Sequence, residues 1–376
     1  MIEFRLFKNG NGVMLTLFLM FASCVPESEK LSKLDKYLTK KYEKGQLNGN
    51  VLISKKGKIL YQKSFGISKI DPIDSLEPNS VFRLASVSKQ FTAMGVMILK
   101  EQGKLTYGQN IKDFIPGLPY DGITIRHLLN HTSGLPDYID FMEKNWKPQY
   151  AVYDRRRFIA GNGDIIHMLM TKKPEVDFAP GEKWKYCNTG YMLLATIIAR
   201  ASGISYERYL EEQIFEPAGM RNTIVYKYFP GRDPKMPLRV YGYLTERESS
   251  ERYTMDCHFL NRARGDGGIY STAGDLLKWD QVLYTEKLVS NEILEEAFTA
   301  GKLNDGSLTN YGFGWFLEES PKSGKVVEHK GGWCGFRTCI YREIEKNNCI
   351  IILTNNSGDY LPQVLSKLQR FVHRSG

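Results

Sequence analysis

Cysteine is scarce. Six occur in 376 residues, and setting Cys24 aside leaves Cys187, Cys257, Cys334, Cys339 and Cys349. An odd number with no Cys-x-x-Cys pair argues against a disulfide framework and against a zinc site. Cys339 and Cys349 flank a hairpin-like turn, and spacing alone leaves their pairing open. No His-Glu-x-x-His is present, which removes the zinc hydrolases, and no Gly-x-Ser-x-Gly elbow, which removes an α/β-hydrolase lipase. Dense basic blocks are missing too. The formal charge is +9, but Lys and Arg are scattered, and Arg155–Arg157 stand in no nucleic-acid motif. The charge reads as a solvated surface, and no nucleic-acid partner is expected. Internal repeats and low-complexity linkers do not occur.

What is present is ordinary for a soluble globular chain, with 42% hydrophobic and 25% charged residues. The length exceeds a usual single core, so one large two-lobed domain or two domains are expected. The N-terminal segment stands apart. Arg5 and Lys8 precede an apolar run from Val13 to Ala22 that is short for a membrane span. A basic start, an apolar core and small residues before a cut make a secretory signal. With Cys24 directly after Ala22 and Ser23, the stretch resembles a bacterial lipoprotein signal. Residues 1–23 are then removed, and a lipid on Cys24 tethers residues 24–44 and everything beyond them to a membrane in the cell envelope.

Leu31, Leu34 and Leu38 share a helical face that Gly45 can end. "NVLISKKGKILYQKSFG" reads as a hairpin turning at Lys55-Lys56-Gly57. A helix opens at Ser86, and a mostly helical pattern runs to about residue 310, with "YMLLATIIARA" its clearest buried helix. "YGFGWFLEE", "KVVEHKGG", "GFRTCIYRE" and "NCIIILTNN" are four β-rich runs, and 361–373 close with a helix. The expected class is α+β: an antiparallel sheet built from both termini and flanked by helices, with an all-helical insertion as second lobe. The sheet lobe takes 45–85 and 311–376, the helical lobe 86–310.

Three short clusters carry chemistry. In "FRLASVSKQFTAM", Ser86 and Lys89 stand three apart at a helix start and so share a face. Ser86 can be a cap beside a solvated lysine, or a nucleophile beside its base. As base, Lys89 must be the neutral amine, a form favoured by burial or nearby positive charge. In "FAPGEKWKYCNTGYMLL", Tyr186 and Asn188 precede a buried helix; they read as a surface tyrosine and a cap, or as a proton relay and an orienting amide. In "VVEHKGGWCGF", strand alternation puts His329, Gly331 and Trp333 on one face and Lys330 on the other. This is either a Gly-rich strand end with a solvated histidine, or a wall that lets a substrate backbone approach.

In that order, Ser86-x-x-Lys89, Tyr186-x-Asn188 and His329-x-Gly331 resemble the three motifs of the serine β-lactamase and penicillin-binding-protein superfamily. The likeness is closest to its class C, D-aminopeptidase and esterase-like branch. "ITIRHLLNHTSGLPDY", "GGIYSTAGDLLKW" and "YGFGWF" agree, and the similarity covers roughly residues 45 to 358. The resemblance implies a sheet of about five antiparallel strands plus an all-helical lobe. It also implies roles: Ser86 the acylated nucleophile, Lys89 the base, Tyr186 the relay, Asn188 a holder of Lys89 and substrate. The backbone N–H groups of Ser86 and Gly332 form the oxyanion hole, His329, Gly331, Gly332 and Trp333 adjoin the substrate, and Ser133 is a turn residue. No metal or cofactor is implied, and the partner is a small-molecule or peptide acyl substrate.

One departure is His329, where many penicillin-binding members carry lysine. A histidine that discharges between pH 6 and 8 would set substrate choice through its charge. Lys330, on the opposite face, cannot stand in. A carboxylesterase, or a peptidase for D-residue or amide substrates, is therefore expected as much as a β-lactamase. The rival reading is a non-catalytic lipid-anchored scaffold that keeps the fold.

Overall fold

Two β-rich stretches at opposite ends of the chain meet in one sheet. The structure is a computed structural model that describes residues 26–70, 73–146, 159–226, 236–245, 252–255 and 258–374. Residues 1–23, expected to be a signal, Cys24, expected to carry a lipid, Arg155–Arg157 and Cys257 lie outside the described residues. The strands are β1 (Gly49–Lys55), β2 (Lys58–Phe65), β3 (Phe316–Ser320), β4 (Gly324–Trp333), β5 (Phe336–Glu343) and β6 (Asn348–Thr354). They form a six-stranded sheet in the order β3-β4-β5-β6-β1-β2, antiparallel throughout. The resemblance implied about five strands; the run through Phe316 supplies the edge strand β3. The ends are joined by β1 on β6, from Gly49 opposite Thr354 to Ser54 opposite Cys349.

Turn chemistry sets two of the hairpins. Lys56 and Gly57 (φ 50° and 73°) link β1 to β2, and Cys334 and Gly335 (φ 43° and 88°) link β4 to β5. Two successive left-handed residues match the right-handed twist of paired strands.

Both faces of the sheet are covered, which explains the unbroken apolar run of β6. Val51, Ile53, Ile350 and Ile352 face an outer core with Leu34 and Leu38 of α1 (Glu27–Glu43) and Leu365 and Leu368 of α5 (Leu361–Arg374). Leu52, Ile351 and Leu353 face the inner core, shared with α2 (Lys89–Glu101), α3 (Asn188–Ser202) and α4 (Ala273–Val282). This alternation answers the question about the cysteines. Cys339 lies in the outer core and Cys349 in the inner one, and both are free thiols.

The insertion expected to be all-helical is helical in bulk but also carries short strands at Ile224–Val225, Tyr243–Thr245, Arg252–Thr254 and Ile269–Ser271. Its last part does not belong to a separate lobe, because α4 packs against β1 and β6. A boundary at residue 310 therefore falls too late. Amphipathic periodicity shows that a helix has a partner but not which partner it has.

Candidate active site

Ser86 lies in a single 3-10 turn, Ala85–Ser88, and the α-helix proper begins at Lys89. Its hydroxyl does not cap the helix; it accepts a hydrogen bond from the Lys89 ammonium at 3.2 Å. The turn is held under constraint. Ala85 has φ 49°, a left-handed conformation unusual for a residue with a side chain. The Leu84 carbonyl accepts from the Val87 N–H at 3.3 Å and from Thr338 Oγ1 of β5 at 2.7 Å. Gly331 of β4 presses on the same turn: a Cβ there would lie 2.3 Å from Leu84 O and 3.0 Å from Ser86 N. Only glycine lets strand and turn approach this closely.

Lys89 is fully buried. Besides Ser86 it donates to Asn188 Oδ1 at 2.9 Å and to the Asp266 carbonyl at 3.0 Å. An ammonium has three donors, and here all three are used. The neutral amine would keep two N–H groups for Asn188 and Asp266 and turn its lone pair to Ser86. Asn188 is oriented by a residue that sequence reading missed. Asp137 Oδ2 accepts from the Asn188 backbone N–H at 2.7 Å and from its Nδ2 at 3.0 Å, so Oδ1 must face Lys89. Asp137 also caps the helix Tyr138–Asn145 through Ile139.

Asp266 was missed as well. Its carboxylate accepts from the Tyr138 hydroxyl at 3.0 Å. Burial holds it above the usual carboxylate range, with Lys89 pulling the other way.

The Tyr186 ring lies beside Lys89, its centroid 4.8 Å from Nζ. Among the described residues its hydroxyl bonds neither Ser86 nor Lys89. His131, at φ 59°, packs behind it with ring centroids 4.3 Å apart and accepts from the Cys187 N–H at 3.2 Å. Burial first, then Lys89, pushes His131 well below its ordinary value. Ser133 is a buried turn residue whose hydroxyl accepts from the Leu135 N–H.

His329 departs from expectation. The ring is buried against Tyr311, Phe316 and Tyr186. Its Nδ1 donates to the Lys330 carbonyl at 2.7 Å and its Nε2 accepts from the Tyr311 hydroxyl at 3.0 Å, which together fit one neutral tautomer. Burial first, then Lys89, lowers its pKa to about 3. It therefore does not discharge between pH 6 and 8, and a charge on His329 cannot set substrate choice there. The strand phase was right: Lys330 is on the exposed face, paired with Glu328 at 2.7 Å.

Ser86, Asn188, Gly332 and Trp333 line one cavity together with Arg83, Tyr138 and Asp266. Tyr186 borders an adjoining groove that shares Asn188. Lys89, Gly331 and His329 do not line the cavity. Among the described residues no cluster of His, Cys, Asp and Glu is placed to hold a metal, and no helix is long and apolar enough to cross a membrane.

The chain is similar to known proteins along most of its length. A family model described as Beta-lactamase matches residues 34–368. Penicillin-binding protein 4* of Bacillus subtilis (strain 168) is 42% identical over 327 residues, covering 84% of this chain and 70% of the relative. The octameric penicillin-binding protein homologue from Pyrococcus abyssi superposes with a TM-score of 0.76 at 26% identity, covering 90% of this chain and 77% of the other. The D-amino acid amidase from Ochrobactrum anthropi SV3 shares the fold, with a TM-score of 0.70 at 22% identity over 93% of this chain and 96% of the other. With a match across nearly the whole described chain and a serine, lysine and asparagine joined at its centre, this chain belongs to the β-lactamase family.

Proposed function

We propose that the chain is a serine hydrolase that works through an acyl-enzyme on an ester, amide or D-residue peptide. The observation that carries this reading is Lys89, buried 3.2 Å from Ser86 Oγ with its other two bonds committed to Asn188 and Asp266. As the amine, Lys89 takes the Ser86 proton while Oγ attacks the acyl carbon. The resulting oxyanion sits between the backbone N–H groups of Ser86 and Gly332, at the positive end of α2. Tyr186, beside Lys89, passes the proton to the leaving group. Water then releases the acyl group from Ser86. Gly332 and Trp333 form the wall along which the substrate lies, and Gly331 seats that strand on the Ser86 turn. The "FASC" segment supports a lipid on Cys24 and a place for the enzyme on the cell envelope membrane.

A fluorophosphonate probe on the protein from Glu27 onward, followed by peptide mapping, tests the reading. One adduct on the Ser86 peptide is expected, lost in Ser86→Ala. Lys89→Arg keeps the charge but cannot deprotonate, so turnover of p-nitrophenyl esters should fall at least a hundredfold. Full turnover in either variant would overturn the assignment. A folded wild type that neither labels nor turns over esters, D-amino-acid amides or nitrocefin would favour the non-catalytic scaffold.

A further inference from the structure

His131 holds the chain on both sides of Tyr186. It follows the helix Ile125–Leu129 with a left-handed backbone, φ 59°, and both its carbonyl and its ring meet the segment Lys185–Cys187. The carbonyl accepts from the Lys185 N–H at 3.0 Å, and Nδ1 accepts from the Cys187 N–H at 3.2 Å. Between these two amides stands Tyr186, its ring centroid 4.3 Å from that of His131 at an interplanar angle of 37°. The other rings around Tyr186 are farther, Tyr311 at 6.3 Å, His329 at 6.1 Å and Phe316 at 6.4 Å. Its hydroxyl bonds neither Ser86 nor Lys89 among the described residues, so main-chain and ring contacts set its place beside Lys89.

Packing alone does not account for a histidine here. The ring is 1% exposed and set among Tyr186, Tyr191 and Tyr311. Because Nδ1 accepts, the proton of the neutral ring is on Nε2, which has no partner among the described residues. A buried donor without an acceptor is costly, and so is a left-handed residue with a side chain. Leucine would fill the same space without the first cost. What histidine adds is the acceptor that ties down Cys187, and burial with Lys89 nearby keeps the ring uncharged, so that Nδ1 stays an acceptor.

We infer that His131 is the positioning residue of the relay: with its carbonyl, Nδ1 and ring it fixes Tyr186 beside Lys89, where the tyrosine can serve the leaving group. The assignment rests on the acyl-hydrolase reading above. Loss of this hold slows acylation of Ser86 to the extent that the leaving group needs a proton.

Phenyl acetate and p-nitrophenyl acetate share an acyl group, and the more basic phenolate needs the proton more. In His131→Leu, kcat/KM for phenyl acetate should fall about tenfold to a hundredfold further than for p-nitrophenyl acetate. His131→Asn keeps an acceptor close to the Nδ1 position and tolerates a left-handed backbone, so it should recover part of that ratio. Added to Tyr186→Phe, His131→Leu should change the ratio by less than about twofold. Equal losses on both esters, or an undiminished effect in the Tyr186→Phe background, would overturn the assignment. Should His131→Leu not fold, nitrogen-15 NMR of histidine-labelled wild type decides. His131, identified by its absence from His131→Asn, should be the neutral Nε2–H tautomer from about pH 6 to 8. An Nδ1–H tautomer or an imidazolium would break the Cys187 bond and overturn the assignment. A leaving-group effect in Tyr186→Phe but not in His131→Leu removes only the role of His131. No such effect in Tyr186→Phe removes the relay, and this assignment with it. A wild type that neither labels at Ser86 nor turns over esters removes the hydrolase reading itself.

Discussion

His329 shows what burial does to a single side chain. In the unfolded chain its ring takes a proton near 6.5; in the folded protein it does so only near 3, because burial and Lys89 oppose the charge. Between those values the unfolded chain binds more protons, so acid favours unfolding. For this residue the loss reaches about 2 kcal/mol by pH 5. His131, shifted in the same direction, adds to it. We predict that urea midpoints of the wild type fall between pH 7.5 and 5 more steeply than those of His329→Gln. Parallel slopes would show that the imidazole is not held neutral. The same burial predicts that nitrocefin and p-nitrophenyl acetate rates keep a constant ratio between pH 6 and 8 as far as His329 is concerned. A ratio that follows an apparent pKa near 6.5, and loses that dependence in His329→Gln, would contradict this.

At the scale of elements, the contact of β4 with the Ser86 turn matters most. Gly331 lies where an added Cβ would fall 2.4 Å from Thr338 Oγ1 as well as on Leu84 O. Gly331→Ala must push the strand away from the turn, or the turn away from the strand. Overpacking of this kind costs about 1–3 kcal/mol of stability. A displacement near 1 Å at a catalytic group costs about a hundredfold in rate. We therefore predict a variant that still folds, melts a few degrees lower and loses far more activity than stability. Near-normal kcat would separate the Gly331 contact from catalysis. Gly332 has only the flexible Arg337 side chain near its Cβ, at 3.1 Å, so Gly332→Ala should be the milder change.

For the whole molecule, the outer core depends on the last helix. Leu361, Val364, Leu365, Leu368, Phe371 and Val372 of α5 are buried on the sheet. Six such side chains at about 1.5–3 kcal/mol each amount to the order of 10 kcal/mol, comparable with the net stability of a typical domain. A chain ending at Tyr360 should show no cooperative unfolding transition by circular dichroism; a normal melt would mean that α1 alone closes that face. The other end concerns location. Wild type made in a bacterium should partition with membranes and carry diacylglycerol on its N-terminal peptide, and Cys24→Ala should lose both. An unmodified cysteine in soluble wild type would count against the anchor.

The linear chain determined much of this protein. Hairpin signals, the Leu31-Leu34-Leu38 face, the four C-terminal runs and the order of Ser86-Lys89, Tyr186-Asn188 and His329-Gly331 are local patterns, and local patterns survive in one dimension. Alternation along β4 even placed Lys330 on the outer face. Asp137 and His131 stand in the quoted stretches and Asp266 directly before one, but they carried no signal, because each acts through a partner distant in sequence: Asp137 through Asn188, His131 through Cys187 and Asp266 through Lys89. Tertiary structure alone decided that α4 joins the sheet layer and that Cys339 and Cys349 face opposite cores. It alone decided that His329 is neutral, since a pKa depends on how much water and charge the fold leaves around a group, and residue identity does not record that.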